Sequence, residues 1–348
     1  MSEPVKIAVA GTGYGAKVAL PVYAELEQFE PVAVWSRRAE RARELADELD
    51  LRLGTADLDE LLDVPGLEAV HVATPVVTHA RFARAVVGRG LHLMCEKPLA
   101  DDLRQAQEIA RAVRAAGVVG AVDYGRRFEE TRRRLLERGR EVLGTPRLAS
   151  VSLVFDDHAE PDSRPYTWVH DARLGGGRLQ GYGVHDLDLL LELFGDVDAV
   201  AAATEVTVPH RYAGDGGELR RVTAEDAFGV LLRFRGGGLA VVSFVATARH
   251  DRGDVIEIHG AEGTVSLDAA GRLAWGRAGE ELQVEGPLDS SPKEAFKHVA
   301  RRFAASVREG AAPDPSLDEG LRVQAVFDAV RRADVERRWV RPERVAGG

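Results

Sequence analysis

The chain is predicted to be an α/β protein, with an N-terminal doubly wound parallel sheet and a C-terminal α+β domain that holds a large, mostly antiparallel open sheet. Its 348 residues are more than one hydrophobic core usually holds. A βα repeat runs through the first third of the chain, and closely spaced strands follow it. The predicted domains are residues 1–122 and residues 123–348.

The βα repeat is an alternation of short β-branched runs with amphipathic segments. The predicted strands are Val5–Ala10, Pro31–Trp35, Glu68–Ala73, Leu91–Cys95 and Val118–Val122. The predicted helices between them include Arg38–Leu49, Thr78–Gly88 and Leu103–Ala116. This rhythm is typical of a parallel sheet with helices on both faces.

The rhythm changes after about residue 123. The predicted helices there are Arg126–Glu141, Val184–Phe194, Pro292–Glu309 and Leu317–Val335. The predicted strands are Arg147–Phe155, Val197–Val208, Ala227–Phe234, Leu239–Val245, Val255–His259, Thr264–Leu267 and Arg272–Trp275. Tight glycine turns separate several of these strands, which favours an antiparallel sheet.

Charge and composition exclude several classes of partner. A formal net charge of −10 argues against nucleic acid or a membrane surface. The basic run Arg132–Arg134 lies among glutamates at helical spacing, which predicts a solvated helix face. The single cysteine, Cys95, allows no intramolecular disulfide, and no Cys/His spacing predicts a metal site. Without a signal-peptide pattern or a long apolar run, the cytoplasm is the expected location.

The first predicted strand leads directly into residues 11–16, GTGYGA, which match G-x-G-x-x-A and precede an apolar helical pattern. Gly11 permits the tight turn, Gly13 lets the backbone approach a pyrophosphate, and Ala16 lets the helix pack on the strand. This arrangement predicts a Rossmann domain whose helix N-terminus faces the phosphates of a dinucleotide. The predicted cofactor contacts at the turn are Gly11, Gly13, Tyr14, Gly15 and Ala16.

The end of the second predicted strand indicates which dinucleotide is bound. An NAD site usually has Asp or Glu there, to hold the ribose 2′-hydroxyl. This chain has Ser36, Arg37 and Arg38, and its first carboxylate is Glu40. A hydroxyl and guanidinium groups suit a 2′-phosphate, so NADP(H) is the predicted cofactor, with NAD the alternative.

Further motifs lie along the chain in a fixed order. They are Ala73-Thr74-Pro75 with His79, Cys95-Glu96-Lys97-Pro98-Leu99-Ala100, Gly175-Gly176-Gly177 and Gly183-Val184-His185 with Asp188. Shorter matches are Arg127-Phe128, Glu225-Asp226, Gly260–Thr264 and Glu319–Leu321. In this order the segments resemble the glucose-fructose oxidoreductase, inositol dehydrogenase and MocA (Gfo/Idh/MocA) family, whose signature is the E-K-P at a Rossmann strand end. The resemblance covers essentially the whole chain.

The resemblance implies a Rossmann domain joined to a domain with an open antiparallel sheet. The face of that sheet often forms a subunit interface in similar proteins, so a homodimer or homotetramer is expected. The substrates of similar proteins are small molecules, typically sugars, cyclitols and their derivatives. The resemblance also adds Thr74, Pro75, His79, Glu96 and Lys97 to the predicted cofactor contacts.

Hydride transfer at an alcohol carbon needs a group that exchanges the hydroxyl proton. In the E-K-P context Lys97 is the first candidate, because desolvation lowers the pKa of an amine toward the useful range. His185 is the second candidate, since an imidazole titrates near neutral pH. Glu96 is expected to bind the nicotinamide region or to cap the loop.

One position departs from the family pattern. An aspartate normally lies four residues before this histidine, and here that residue is Gly181. Because side chains at i and i+4 share a helix face, the aspartate would orient the imidazole or hold a substrate hydroxyl. Three interpretations follow: Tyr182, Tyr166 or Asp171 replaces it, the substrate differs from an ordinary sugar alcohol, or the redox chemistry is weakened or lost. Tyr182 is therefore the third predicted catalytic residue.

The sequence as a whole predicts an NADP(H)-dependent dehydrogenase or ketoreductase that acts on a CH–OH or C=O group of a polyhydroxylated compound. Two alternatives belong to other classes. One is a non-catalytic NADP sensor or regulator, which the missing aspartate would suit. The other is a lyase or hydrolase that uses tightly bound cofactor in a transient redox cycle.

Overall fold

The computed structural model describes residues 3–214 and 217–345, which form two compact units. The first unit comprises residues up to 128 together with 291–324, and the second comprises 129–290 together with residues from 325 onward. Residues 291–324 thus pack with the N-terminal sheet, whereas the predicted functional division at residues 122 and 123 stays a prediction. The outer ends of the predicted domains, residues 1–2 and 346–348, lie outside the described residues.

The first unit is built on a six-stranded parallel sheet with the strand order β3-β2-β1-β4-β5-β6. Its strands are β1 (Val5–Ala10), β2 (Phe29–Trp35), β3 (Leu53–Thr55), β4 (Ala69–Val72), β5 (His92–Glu96) and β6 (Gly120–Asp123). This order is that of a Rossmann fold, whose ligands bind beyond the carboxyl ends of the strands. The predicted doubly wound sheet is confirmed, and only the three-residue β3 was too short for its pattern to be recognised.

The helices of this unit cover both faces of the sheet. They are α1 (Leu20–Glu25), α2 (Ala39–Glu48), α3 (Leu58–Leu62), α4 (His79–Gly88) and α5 (Leu103–Ala116). Near the end of the chain, α8 (Pro292–Glu309) returns to this unit. Its buried Phe296 and Phe303 share a core cluster with Tyr23 of α1. Burial of these aromatic rings accounts for the place of α8 in the first unit.

The second unit is built on an eight-stranded sheet with the order β16-β15-β14-β13-β7-β12-β11-β8. Its strands are β7 (Pro146–Val154), β8 (Val197–Glu205), β11 (Ala227–Phe234), β12 (Leu239–Val245), β13 (Gly253–Gly260), β14 (Gly263–Leu267), β15 (Leu273–Arg277) and β16 (Gln283–Glu285). Strands β7 and β12 pair in parallel, and the other neighbours in the sheet are antiparallel. The predicted mostly antiparallel sheet is confirmed. A separate short ribbon joins β9 (His210–Tyr212) to β10 (Leu219–Arg221).

The two faces of the large sheet differ in their surroundings. Helices α6 (Glu130–Val142) and α7 (Val184–Phe194) pack on one face. Along β11, buried residues alternate with exposed ones, as a sheet covered on one side requires. The last helix, α9 (Leu317–Glu336), is divided between the units after residue 324. Among the described residues, no helix is long and apolar enough to cross a membrane.

The basic run in α6 corrects one prediction. Arg133 and Arg134 lie on the outer side of the helix and pair with Glu137, as expected of a solvated face. Arg132, however, is only 1% exposed, and its Nη2 donates to Asp186 of α7 at 2.7 Å and to Asp254 of β13 at 2.8 Å. The prediction of a wholly solvated run was wrong, because helical spacing turns every third or fourth residue toward the core.

Candidate active site

The glycine turn follows β1 at the carboxyl edge of the parallel sheet. Gly11 has a φ of 126°, and a Cβ there would lie 2.1 Å from the carbonyl oxygen of Ala73. A Cβ at Gly15 would lie 2.7 Å from Cγ1 of Val9. Gly15, more than the half-buried Ala16, therefore sets how closely the helix packs on β1. A Cβ at Gly13 would meet nothing within 4 Å, which leaves its backbone open to a phosphate group.

The chain beyond β2 supplies hydroxyl and guanidinium groups. Ser36 is buried, with its Oγ 3.5 Å from Thr12 Oγ1, and it accepts a hydrogen bond from the Arg38 backbone N–H at 3.3 Å. The side chains of Arg37 and Arg38 are exposed. Within residues 3–214 and 217–345, neither guanidinium has a carboxylate within the 4.0 Å of an ion pair. Both are therefore able to pair with an anionic ligand.

His79 joins two of the predicted cofactor loops. Its Nε2 lies 2.8 Å from the carbonyl oxygen of Thr74, and its Nδ1 lies 3.0 Å from that of Pro98. Burial lowers the pKa of His79 to about 4, so the ring is neutral near pH 7. Thr78 also donates to Thr74 Oγ1 at 2.7 Å. A neutral ring has a single N–H, so it donates to only one of these carbonyl oxygens; His79 lies buried between the loop after β4 and the loop that carries Lys97.

Lys97 comes directly after Glu96, the last residue of β5. Burial lowers the pKa of the Lys97 ammonium group below its ordinary value, and the carboxyl groups of Glu96 and Asp123 act in the opposite direction. The result is an amine with a reduced pKa beside an acidic pair. Such a group can exchange a proton with a substrate oxygen.

A cluster of one imidazole and two carboxyl groups adjoins Lys97 at the carboxyl ends of three neighbouring strands. Glu96 and Asp123 are register partners in β5 and β6, and His71 lies in β4 beside them. His71 Nε2 is 3.4 Å from Glu96 Oε1, and the hydroxyl of Tyr23 is 3.1 Å from His71 Nδ1. We refer to His71, Glu96 and Asp123 as the acidic relay.

Burial shifts the pKa of every member of the acidic relay. Burial raises the pKa of both Glu96 and Asp123, and the Glu96 charge raises that of Asp123 further. Each carboxyl group also shifts the pKa of the other, because the two lie side by side at the ends of β5 and β6. Burial lowers the pKa of His71 to about 4, which leaves its ring neutral. The hydroxyl of Tyr14 reaches Asp123 as well, which brings the predicted cofactor residue Tyr14 into this group.

The same three side chains also have the composition of a metal site. Their potential ligand atoms lie within 4.8 Å of one another. His71 Nδ1 is hydrogen-bonded to Tyr23, whereas His71 Nε2 and Glu96 Oε1, which lie 3.4 Å apart, have no hydrogen-bond partner among the described residues. The predicted absence of a metal site stays a prediction.

In the second unit, a glycine loop leads into the helix that bears His185. Gly177 has a φ of 121°, and a Cβ there would meet the carboxylate of Glu225 at 2.2 Å. Glu225 accepts a hydrogen bond from the backbone N–H of Leu179 at 2.9 Å. The chain then forms a π-helical turn over Leu179–Gly183 and continues as α7, which begins at Val184. Glu225 thus fixes the start of this helix, a role that was not predicted from the sequence.

The surroundings of Gly181 bear on the missing aspartate. A Cβ at Gly181 would meet nothing within 4 Å, so there is open space where the family aspartate would lie. Asp171 is held by Arg173 at 2.9 Å and by its own loop, and Tyr166 lies against His170 with ring centroids 5.7 Å apart. The half-buried ring of Tyr182 lies 5.1 Å from that of Phe244. Of the three residues predicted to replace the family aspartate, only Tyr182 is adjacent to Gly181 in the sequence.

The six-stranded parallel sheet and its glycine turn define a dinucleotide-binding protein. Two family models match the chain, one over residues 5–124, described as an oxidoreductase family with an NAD-binding Rossmann fold, and one over residues 130–266, described as the Gfo/Idh/MocA C-terminal domain. The chain belongs to the Gfo/Idh/MocA family of oxidoreductases. The resemblance stated from the sequence motifs is confirmed.

Individual relatives agree with this assignment. An uncharacterized oxidoreductase of Synechocystis sp. is 28% identical over 97% of this chain and 96% of its own length. Levoglucosan dehydrogenase of Pseudarthrobacter phenanthrenivorans is 25% identical, over 97% of this chain and 98% of its own. A solved structure of levoglucosan dehydrogenase with NADH and L-sorbose has the same fold, with a TM-score of 0.89 and 23% identity over 99% of this chain and 100% of that one. The chain is thus similar to nicotinamide-dependent dehydrogenases over its full described length.

Proposed function

We propose that the chain is an NADP(H)-dependent oxidoreductase that transfers a hydride to or from a sugar, cyclitol or related polyhydroxylated carbonyl compound. The observation that carries the proposal is the place of Lys97, at the carboxyl end of β5 in the sheet whose first strand ends in the glycine turn. The names of the sugar dehydrogenases among its relatives support the substrate class. The functional domains remain those predicted, residues 1–122 for the cofactor and residues 123–348 for the substrate.

The residues at the sheet edge fit a bound dinucleotide. The open backbone at Gly13 suits the pyrophosphate, and Ser36, Arg37 and Arg38 suit a ribose 2′-phosphate. The further contacts in the proposal are Gly11, Tyr14, Gly15, Ala16, Thr74, Pro75, His79, Glu96 and Lys97. When bound, the nicotinamide supplies or accepts the hydride.

Lys97 carries the proton transfer in this proposal. In the reducing direction the ammonium group donates a proton to the substrate oxygen as negative charge develops there, and in the oxidising direction the amine accepts it. The negative charge of the acidic relay keeps Lys97 protonated to a higher pH than burial alone would allow. His185 and Tyr182 keep the roles predicted for them, as hydrogen-bonding and proton-supplying groups for the substrate.

The proposed cofactor and substrate class can be tested with purified protein. NADPH should bind more tightly than NADH, and ketoses or inososes should be reduced with loss of the absorbance of the reduced nicotinamide. Arg37→Ser should weaken NADPH binding about 10-fold and leave NADH binding unchanged, because a charge-assisted contact is lost. The exposed Arg43 supplies the matched control, Arg43→Ser.

Other outcomes would point to the alternative classes. Tight NADPH binding without turnover on a wide panel would contradict the dehydrogenase and favour a sensor. Product formation with only catalytic amounts of cofactor would favour a lyase or hydrolase. Equal effects of Arg37→Ser and Arg43→Ser would contradict the 2′-phosphate site.

The uncovered face of the large sheet supports the proposed homodimer or homotetramer. Leu148, Leu231, Leu239 and Val241 are exposed by 42%, 45%, 47% and 40%. They lie on β7, β11 and β12, where Leu239 pairs with Leu148 and Leu231 with Val241. A contiguous apolar patch on a sheet face marks an interaction surface.

Leu231→Lys should convert the oligomer to a monomer, because a charge would be buried in the interface. Light scattering after size-exclusion chromatography would measure the mass. Leu282→Lys, at a leucine that is 55% exposed on another part of the unit, serves as the control. An unchanged mass for Leu231→Lys would rule out this face as the interface.

A further inference from the structure

A group of basic side chains lies in the second unit, close to the start of the helix that carries His185. It consists of Arg178, Arg211, His158 and His170, which we call the basic cluster. Arg211, His158 and His170 are buried, with 1%, 6% and 5% of their surface exposed, and Arg178 is half-buried. Burial lowers the pKa of both guanidinium groups, and the Arg178 charge lowers that of Arg211 further. The cluster therefore holds cationic groups in a place that disfavours positive charge.

Neither arginine is neutralised by a neighbouring carboxylate. Within residues 3–214 and 217–345, Arg178 and Arg211 have no carboxylate oxygen within the 4.0 Å of an ion pair. Arg211 donates to the carbonyl oxygens of Glu160 at 2.9 Å and His158 at 2.5 Å, which are neutral acceptors. Buried charges in proteins are normally paired. The buried Arg211 is an exception, and the half-buried Arg178 also lacks an ion pair, so the basic cluster is able to bind an anion.

His158 presents a neutral acceptor to Arg178. Its Nδ1 lies 2.8 Å from Asp157 Oδ1, so the ring proton is on Nδ1 and the Nε2 lone pair faces Arg178 Nη2. Burial first, and then the Arg178 charge, lower the pKa of His158, which keeps the ring neutral. His158 therefore orients the guanidinium without cancelling its charge.

Two more donors of the cluster lack acceptors. The backbone N–H of Thr167 donates to His170 Nδ1 at 3.0 Å, so the ring proton of the neutral imidazole is on Nε2. Burial, together with the charges of Arg211 and Arg178, lowers the pKa of His170 to about 4. The buried Nε2 of His170 and the buried Nε of Arg211 have no hydrogen-bond partner. Donors without acceptors in a buried cationic group call for oxygen atoms with negative charge.

Three carboxylates act on Arg178 from a distance, and each is engaged with other groups; one of them, Glu225, accepts from the backbone N–H of Leu179 at 2.9 Å. Asp157 pairs with His158 and, at 3.3 Å, with Arg164. Asp226 accepts from the backbone N–H groups of Thr207 and Val208 at 2.7 and 3.0 Å. Both raise the pKa of Arg178 from a distance, without direct contact. They lessen the repulsion within the cluster but do not satisfy its donors.

The basic cluster lies close to Tyr182, one of the side chains proposed to contact the substrate. Arg178 directly precedes the π-helical turn Leu179–Gly183, Tyr182 lies within that turn, and His185 is the second residue of α7. The Arg178 guanidinium carbon lies 6.0 Å from the centroid of the Tyr182 ring. Gly181, between them, leaves open space where an aspartate would repel an anion. Arg178 therefore lies beside Tyr182 and close in the chain to the open space at Gly181, in the segment that leads to His185.

We propose that the substrate carries an anionic oxygen group, a carboxylate or a phosphate, which Arg178 and the basic cluster bind. This proposal rests on the proposed dehydrogenase function and specifies its substrate class. The replacement of the family aspartate by Gly181 then has a chemical reason: it removes a negative charge and a side chain from the path of the anionic group.

The test compares matched substrates in the full-length protein with NADPH. Each neutral ketose is paired with the keto acid and with the phosphate ester of the same carbon skeleton, so that the arms distinguish carboxylate from phosphate. One anionic partner should have the higher kcat/KM. Arg178→Gln should raise its KM about 10- to 100-fold with little change in kcat, and leave the neutral partner unaffected. Arg178→Lys should restore part of the loss, and Arg140→Gln, at an arginine whose side chain is 56% exposed and pairs with Glu192, is the control.

A calorimetric titration separates this proposal from the proposed function. The probes are galacturonate and inorganic phosphate, titrated into the NADP-loaded protein and into Arg178→Gln. Binding that Arg178→Gln abolishes would support the anion site even if no substrate were turned over, in which case the dehydrogenase proposal alone would fail. Equal turnover of neutral and anionic partners, or binding that survives Arg178→Gln, would overturn the anion site.

Discussion

Lys97→Met should lower kcat about 10²- to 10⁴-fold, the usual effect of removing a positioned proton donor or acceptor. NADPH binding should change little, because the loss falls on the transition state. Lys97 has a pKa lowered by burial and partly restored by the acidic relay, so it is a group that can give up and regain a proton. Steady-state kinetics and cofactor titration on the same preparation would measure both quantities.

Two further variants sharpen the Lys97 prediction. Lys97→Arg keeps the positive charge but holds its proton at every accessible pH, so it should not restore activity if proton exchange is the role. Lys293→Met changes an exposed lysine of the same unit that pairs with Glu25, and it should leave kcat unaltered. Retention of more than a tenth of the kcat by Lys97→Met would exclude Lys97 as the proton-exchanging group.

Arg132→Met should reduce the stability of the second unit by about 3–5 kcal/mol, because it removes the guanidinium group that bonds to a buried carboxylate. Arg132 bonds to Asp186, which is fully buried and directly follows His185 in α7. Burial by itself would lower the pKa of Arg132, but Asp186, Asp254 and Glu129 together raise it. We expect a fall in the melting temperature of roughly 6–20 °C, which calorimetry would measure.

The neighbouring arginine provides the control for this stability prediction. Arg133 is 41% exposed and pairs with Glu137 on the surface of the same helix. Arg133→Met should cost no more than about 1 kcal/mol, as surface ion pairs usually do. If both variants melted at the same temperature, the buried network would not anchor α7.

The sequence predicted those parts of the fold that follow from local pattern. The strand at Val5–Ala10 and the helix at Leu103–Ala116 have the predicted bounds. A glycine at position 11 was also predictable, because the tight turn after β1 requires it. The structure adds that a Cβ there would lie 2.1 Å from the carbonyl oxygen of Ala73, which leaves no room for a side chain. Strong periodicity and special backbone conformations leave clear traces in a sequence.

Contacts between distant segments were not predictable in the same way. The acidic relay joins His71, Glu96 and Asp123 through strand register, which a single sequence does not give. The four residues of the basic cluster come from separate loops and from the short ribbon formed by β9 and β10. The inward turn of Arg132 depends on carboxylates supplied by two other elements. In each case tertiary packing, and not local propensity, decides the role of the residue.

Direct transfer of label tests the central claim that this protein moves a hydride between NADPH and its substrate. NADPH with deuterium at the transferable position of the nicotinamide would be incubated with the wild-type protein, with Lys97→Met and with the preferred ketone or keto acid. Mass spectrometry should find one deuterium on the carbinol carbon of the product, at a rate that Lys97→Met lowers together with cofactor oxidation. A product without deuterium, or label that appears equally fast with Lys97→Met, would contradict the account.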